Sequence, residues 1–299
     1  MSSPTELRCS APAKINVALF VGPVREEDGR HELVTVFQPI DLVDHLVARL
    51  DESIPGDEIR CPGVEGPNLA GTALAAYRAE TGWDGPPIVI EIEKRIPIAG
   101  GMAGGSADAA AALRLAAAFA EDDDIKRLER IATALGADVP SQVQGRRVIG
   151  TGAGEELRRS PTKPDWEAVV LPIDAALSAG AVYAEADLLH PPRDAEEMAE
   201  LRRAVQHAEM RAGGVELAGL AINDLQRAAR KLCPEVDDAL ARLRAEGAEH
   251  ALVSGSGPTV VGLFAPGEGE AAALRIGADR PVRLAYPEYR ATLELPRWP

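Results

Sequence analysis

The residues best equipped for chemistry in this chain are glycines. The stretch Pro97-Ile98-Ala99-Gly100-Gly101-Met102-Ala103-Gly104-Gly105-Ser106-Ala107-Asp108 places four of them in one short loop. Glycine lets the backbone approach a ligand closely and turn its N–H groups inward. Where such a loop opens a helix, the partial positive charge of the helix start is added, and the result is an anion site, most often for phosphate. A turn that needs glycine for geometry alone is the plainer alternative. The flanks favour phosphate. Pro87 to Lys94 alternates like a strand, and Ala109 to Ala120 is alanine-rich and free of Gly and Pro, with Ser106 as the expected N-cap of that helix. Of two familiar phosphate loops, one fails and the other fits poorly. No lysine follows Gly105, as a P-loop requires, and G-x-G-x-x-G belongs in the first strand–helix unit with an acidic residue about twenty positions on.

Other polar residues stand where they could serve such a loop. Lys14 and Asn16 lie two apart in Lys14-Ile15-Asn16-Val17-Ala18-Leu19-Phe20-Val21, an alternating segment that predicts a strand. Both then point to one face, with Ile15, Val17, Leu19 and Val21 on the other. A strand edge would account for them equally well. Asp138, in Gly136-Ala137-Asp138-Val139-Pro140, stands where a helix N-cap would. His31 sits in the turn Asp28-Gly29-Arg30-His31-Glu32-Leu33, Tyr183 reads as a half-buried packing aromatic, and Ser254-Gly255-Ser256-Gly257-Pro258-Thr259 is a second tight glycine loop between strands.

Composition narrows the function classes. With 299 residues the chain can bury one large or two medium cores. A formal net charge of −15 argues against general binding to nucleic acid or an anionic membrane. It also requires that any anionic ligand be met locally, by backbone N–H groups, a helix dipole, one or two lysines and a divalent metal. The three cysteines, Cys9, Cys61 and Cys233, are scattered and lack C-x-x-C spacing, so neither a disulfide framework nor a zinc site is expected, and a reducing cytoplasm fits. Nothing before the first strand resembles a secretory leader.

The elements around these residues are readable in outline. Val34 to Ile40 predicts a strand ending in Asp41-Leu42-Val43-Asp44, Asp51 to Pro67 an irregular connection, and Asn68 to Thr81 a helix closed by Gly82. Ile125 to Leu135 predicts an amphipathic helix, and Arg147 to Gly154 a short strand with a glycine-rich turn. Ser160-Pro161-Thr162-Lys163-Pro164 reads as a linker, giving domains over 1–160 and 161–299. Beyond it Ala168 to Ile173 predicts a strand, and the segments from Ser178, Ala195, Asn223 and Pro234 predict helices. Strands flank the second glycine loop, with a helix over Gly269 to Gly277 and strands near Val282 to Ala285 and Ala291 to Leu295.

The first glycine loop resembles the phosphate-binding motif of the GHMP kinases, the family of galactokinase, homoserine kinase and mevalonate kinase. Ala11-Pro12-Ala13-Lys14-Ile15-Asn16, Gly136-Ala137-Asp138-Val139-Pro140 and the second glycine loop resemble its remaining motifs, in order and along nearly the whole chain. The resemblance implies an α+β fold of two domains with a deep cleft, and ATP-dependent phosphorylation of an alcohol. It implies Lys14 and Asp138 as catalytic residues, Asp138 as the base. It implies ATP binding by Pro97 through Ala107 (Pro97, Ile98, Ala99, Gly100, Gly101, Met102, Ala103, Gly104, Gly105, Ser106 and Ala107) with Asn68 and Lys94. Mg²⁺ would accompany ATP, through Ser106. The nearest branch acts on a cytidine-diphosphate-linked alcohol of the non-mevalonate isoprenoid pathway, and implies substrate binding by Asn16, His31, Tyr183, Gly255, Ser256 and Gly257. That branch reads D-G-Y-H-E-L where this chain has Arg30 in place of tyrosine, so Tyr183, in Ser178-Ala179-Gly180-Ala181-Val182-Tyr183, is expected to supply the stacking surface for cytosine. A small-molecule substrate, no nucleic acid, no membrane and a monomer or weak homodimer complete the expectation. Another kinase of the family, or a non-catalytic nucleotide-binding homologue, are the alternatives.

Overall fold

The computed structural model describes residues 5–98, 100–161, 165–210, 219–277, 283–285 and 293–294. The first half runs β1 (Glu6–Val24), β2 (His31–Leu50), β3 (Glu58–Arg60), α1 (Leu69–Thr81), β4 (Ile88–Glu93), α2 (Gly104–Phe119), α3 (Ile125–Leu135), α4 (Val139–Gln144), β5 (Val148–Thr151) and β6 (Glu156–Arg159). The second runs β7 (Glu167–Leu171), α5 (Ala179–Leu189), α6 (Ala195–Met210), α7 (Gln226–Leu232), α8 (Glu235–Ala245), β8 (His250–Val253), β9 (Val260–Phe264), α9 (Gly269–Ile276), β10 (Arg283–Ala285) and β11 (Leu293–Glu294). Mixed helices and sheets were expected and are found.

One sheet has the order β11-β1-β2-β4-β3, with β5 joined to β2 and β6 to β5; a second has the order β10-β7-β9-β8. The long β1–β2 hairpin is the frame of the first sheet. Its antiparallel register shifts between Pro12 and Lys14 and again between Asn16 and Ala18. Each shift is a bulge, which reverses the faces of the residues that follow it. Ile15 and Val17 therefore join the main core together with Ala18 and Phe20, while Leu19 and Val21 turn to the side that carries Lys14 and Asn16. The single alternating pattern expected from the sequence is corrected by these bulges, whose positions depend on β2.

The alanine-rich helix α2 lies at the centre of the first half. Ala107 and Ala109 through Leu113 have essentially no exposed surface, and such small side chains let α1, α4 and β1 pack close against it. The second sheet is covered on both faces. Ala168 and Val170 of β7 face the first core, whereas Val169 and Leu171 face α5, α7, α8 and α9. The helix α6 returns to the first sheet, anchored where the buried Arg147 holds both carboxylate oxygens of Glu209, at 2.8 and 2.6 Å.

Several boundaries differ from expectation. The helix α2 begins at Gly104, five residues before Ala109, so Ser106 lies inside its first turn. The N-cap is Ala103, in the left-handed region at φ 55° with no side-chain cap hydrogen bond. Residues 58–60, expected to be irregular, add a short parallel strand to β4. Asn223 precedes α7 and does not begin it. Thr162, Lys163, Pro164 and Val282, and the strand ends beyond 293–294, lie outside the described residues.

Candidate active site

The first glycine loop leads from β4 into α2, and its glycines have separable reasons. Gly101 has φ 74°, and a Cβ there would stand 2.2 Å from the carbonyl oxygen of Ser254 and 2.9 Å from the nitrogen of Gly257. The two glycine loops touch at this point, so a side chain has no room. A Cβ on Gly105 would meet nothing within 4 Å; that residue faces open space. Ala107 is the first residue whose N–H bonds back into the helix, to Ala103 at 2.9 Å, which leaves the N–H groups of Gly104, Gly105 and Ser106 without an intrahelical acceptor. The second loop is fixed by Asn223, whose Nδ2 donates to the carbonyls of Val253 and Gly255, both at 2.7 Å. Ser254 Oγ in turn donates to Gly101 O at 3.2 Å.

Between the loops lies a cavity of about 630 Å³. Of the expected nucleotide residues, Asn68, Lys94, Pro97, Ile98, Gly100, Gly101, Ala103, Gly104, Gly105 and Ser106 line it. Met102 and Ala107 do not: both side chains are buried in the core, because the loop reverses at Gly101 and the helix has already begun. Ala99 lies outside the described residues. Asn68 combines two roles, since its Oδ1 caps α1 by accepting from Ala70 N at 2.9 Å while the residue borders the cavity.

Lys14 and Asp138 meet in the cavity at 3.4 Å, Nζ to Oδ2, with side chains 5% and 35% exposed. The orientation of Lys14 is determined. Thr35 Oγ1 donates to Ala18 O at 2.6 Å, so it accepts from Asn16 Nδ2 at 2.8 Å, which turns Asn16 Oδ1 toward Lys14 Nζ at 2.7 Å. Asn16, expected to touch substrate, thus holds the lysine as well. The carboxylate of Asp138 makes no cap hydrogen bond to α4; its side chain is left to Lys14 and the cavity.

Lys94 is held by two carboxylates. Its Nζ donates to Asp44 Oδ2 at 2.5 Å and to Asp108 Oδ2 at 2.6 Å. Burial acts against the lysine's charge, but the neighbouring Asp108 and Asp44 outweigh it and raise its pKa. Burial pushes Asp108 up to about 7, in spite of Lys94 and with the help of Asp44.

At the opposite end, His31 and Tyr183 stack on each other, ring centroids 5.3 Å apart and planes 21° from parallel. His31 Nδ1 donates to Gly22 O at 2.9 Å, and its Nε2 lies 3.3 Å from Asp187 Oδ2. Tyr183 lines the cavity and His31 stands behind it. A third ring cannot enter between two rings already in stacking contact, which leaves the cavity side of Tyr183 as the face open to a ligand ring. Burial and then the charge of Asp138 push the Tyr183 phenol up, keeping its proton. Arg30 is tied to Asp28 at 2.7 Å through Nε and lies 3.8 Å from Glu155. Gly255, Ser256 and Gly257 line the cavity as the second loop passes over it.

Sequence reading missed Asp44, Asp108 and Asp187. Asp44 ended a recognised Asp41-Leu42-Val43-Asp44 run and Asp108 closed the glycine stretch, but nothing local pairs either with Lys94. The apolar cavity wall of Leu19, Leu33, Phe37 and Leu177 was equally invisible.

Residues 68–146 match the GHMP kinases N terminal domain and residues 201–282 the GHMP kinases C terminal domain. A 4-diphosphocytidyl-2-C-methyl-D-erythritol kinase of Thermobifida fusca (strain YX) is 41% identical over 273 residues, 87% of each chain. The chain belongs to the GHMP kinase family. A second kinase of the same name, from Streptomyces avermitilis, is 39% identical over 92% of this chain and 94% of its own. The crystal structure of a 4-(cytidine 5'-diphospho)-2C-methyl-D-erythritol kinase superposes with a TM-score of 0.73 at 33% identity, covering 93% of this chain and 98% of the other. A homoserine kinase from Cytophaga hutchinsonii shares the fold, TM-score 0.74 at 16% identity over 98% and 99% of the two chains. As in other GHMP kinases, ATP is the phosphoryl donor. No helix among the described residues is long and apolar enough to cross a membrane.

Proposed function

We propose that this GHMP kinase transfers the γ-phosphoryl group of ATP to the 2-hydroxyl of 4-diphosphocytidyl-2-C-methyl-D-erythritol. The observation that carries the reaction is the Lys14–Asp138 pair, 3.4 Å apart in the cavity between the two glycine loops. Support for the acceptor comes from the relatives, two of which share about two-fifths of their residues with this chain, and from Tyr183 on the cavity wall.

Phosphoryl transfer is mostly positioning plus charge stabilisation. The free N–H groups of Gly104, Gly105 and Ser106 hold phosphate oxygens at the start of α2. Asp138 takes the proton of the attacking hydroxyl. Lys14, fixed by Asn16, neutralises charge growing on the transferred group. Tyr183 offers a face to the cytosine, and the 254–257 loop closes over the phosphates or the substrate.

The cavity offers Ser106 Oγ and the Asp138 carboxylate to a cation, and no group of three or more His, Cys, Asp or Glu among the described residues could hold one. Mg²⁺ ordinarily keeps waters and phosphate oxygens and takes only one or two protein oxygens. This donor set therefore fits an ion that arrives with the nucleotide, where it would neutralise phosphate charge, with Ser106 as its protein contact. With free cysteines only, the protein suits the reducing cytoplasm, as a monomer or weak homodimer.

The test is ADP release with Mg-ATP and each of three acceptors: the cytidyl alcohol, homoserine and mevalonate. Release dependent on the cytidyl alcohol is expected. A non-cytidyl alcohol that outcompetes it would move the assignment to another member of the family.

A further inference from the structure

We propose that Asp44 and Asp108 are positioning residues for the nucleotide, acting through Lys94. The proposal rests on the reading of the first glycine loop as an ATP site. An ammonium group has three hydrogens to donate, and Lys94 spends two of them on these carboxylates. The third remains. The lysine side chain is 12% exposed and lines the cavity, its Nζ only 3.3 Å from where a Cβ on Gly104 would stand. The remaining hydrogen is therefore available to an acceptor brought by the ligand, such as a ring nitrogen or a ribose or phosphate oxygen of the nucleotide.

The two carboxylates fix more than the lysine. Asp44 Oδ1 accepts from the N–H groups of Arg95, at 2.5 Å, and Ile96, at 2.9 Å. It thus clamps the segment that enters the glycine loop to β2. Asp108 lies on α2, where the loop leaves. Entry and exit are riveted together through one ammonium group, and the positions of the loop's N–H groups depend on that rivet. Asp108 Oδ1 is buried with no hydrogen-bond partner. An ion pair serving stability alone is ordinarily built with its acceptors satisfied.

The test is a double-mutant cycle on Lys94→Met and Asp108→Asn, reading equilibrium binding of a non-hydrolysable ATP analogue beside kcat and both KM values. Loss of Lys94 should weaken nucleotide binding about tenfold or more, the effect of one hydrogen bond to a charged group. Asp108→Asn should weaken it about three- to tenfold, with the acceptor KM within about threefold of wild type and any fall in kcat smaller than the loss of ATP affinity. Because one residue acts through the other, the double variant should be no worse than Lys94→Met. If Asp108→Asn does not fold, Asp108→Glu keeps the charge but displaces the ammonium, and the same loss of ATP affinity is expected. Effects that multiply in the double variant, or a fall in kcat with nucleotide binding intact, would overturn the proposal. Wild-type protein that binds no ATP would overturn the nucleotide reading beneath it, whereas variants that bind as wild type does would overturn the role of the cluster alone.

Discussion

At the proposed nucleotide end of the cavity the glycine loop is held by buried groups: Asp44 clamps its entry, Asp108 its exit, and the carbonyl of Ser254 lies where Gly101 would carry a side chain. At the proposed acceptor end the side chains hold one another. His31 stacks on Tyr183 and faces the half-exposed Asp187, while Arg30 leans on Asp28. The first arrangement is preorganised by backbone and buried charge, and costs little to fill. The second rests on partly exposed side chains, and leaves a ligand the cavity side of Tyr183. Damage to the nucleotide end should thus be felt as lost structure or lost ATP affinity, and damage to the acceptor end as a changed acceptor KM in an otherwise intact enzyme.

The largest effect should come from Gly101→Ala. The new methyl would collide with backbone on the other loop at a residue already in the left-handed region. Activity should fall more than 100-fold and the melting temperature should drop, both measurable on one preparation. Tyr183→Ala should raise the acceptor KM about tenfold and leave the ATP KM alone, since stacking on a base is worth ~1–3 kcal/mol; equal changes in both KM values would erase the distinction between the two ends. Gly105→Ala sharpens the contrast with Gly101. Nothing obstructs a methyl there, and alanine is the better helix former by up to ~1 kcal/mol. Thermal stability should hold or rise while the ATP KM increases severalfold. Arg30→Ala should be the mildest, less than threefold on the acceptor KM, because its half-exposed guanidinium is held by Asp28 and does not line the cavity.

What could be read from the chain alone follows the same division. The glycine loop was legible because strand, glycines and alanine helix are local signals, adjacent in sequence. The start of α2 was not: Ala103 takes a left-handed conformation beside a second loop some 150 residues away, so Ser106 looked like a cap. The bulges of β1 arise from its register with β2, and they turned Leu19 to the face where the pattern had put only Lys14 and Asn16. Lys94 was visible as a residue near ATP, but Asp44 is fifty positions away along the chain and only the fold brings the two together. His31 and Tyr183 were each recognisable by their motifs. That they stack on one another, and that Asp187 faces the histidine, required α5 to be packed across from the β1–β2 turn.

In the proposed reaction the base is Asp138, held 3.4 Å from Lys14 with no cap hydrogen bond to divert it. The most direct measurement is ADP release by wild type and Asp138→Asn under saturating Mg-ATP and 4-diphosphocytidyl-2-C-methyl-D-erythritol. A general base contributes ~10²–10⁴-fold, so kcat should fall by at least about 100-fold while both substrates still bind. A variant that keeps its rate within tenfold of wild type would contradict the assignment of the base, and with it the account of this cavity as the place where the phosphoryl group moves.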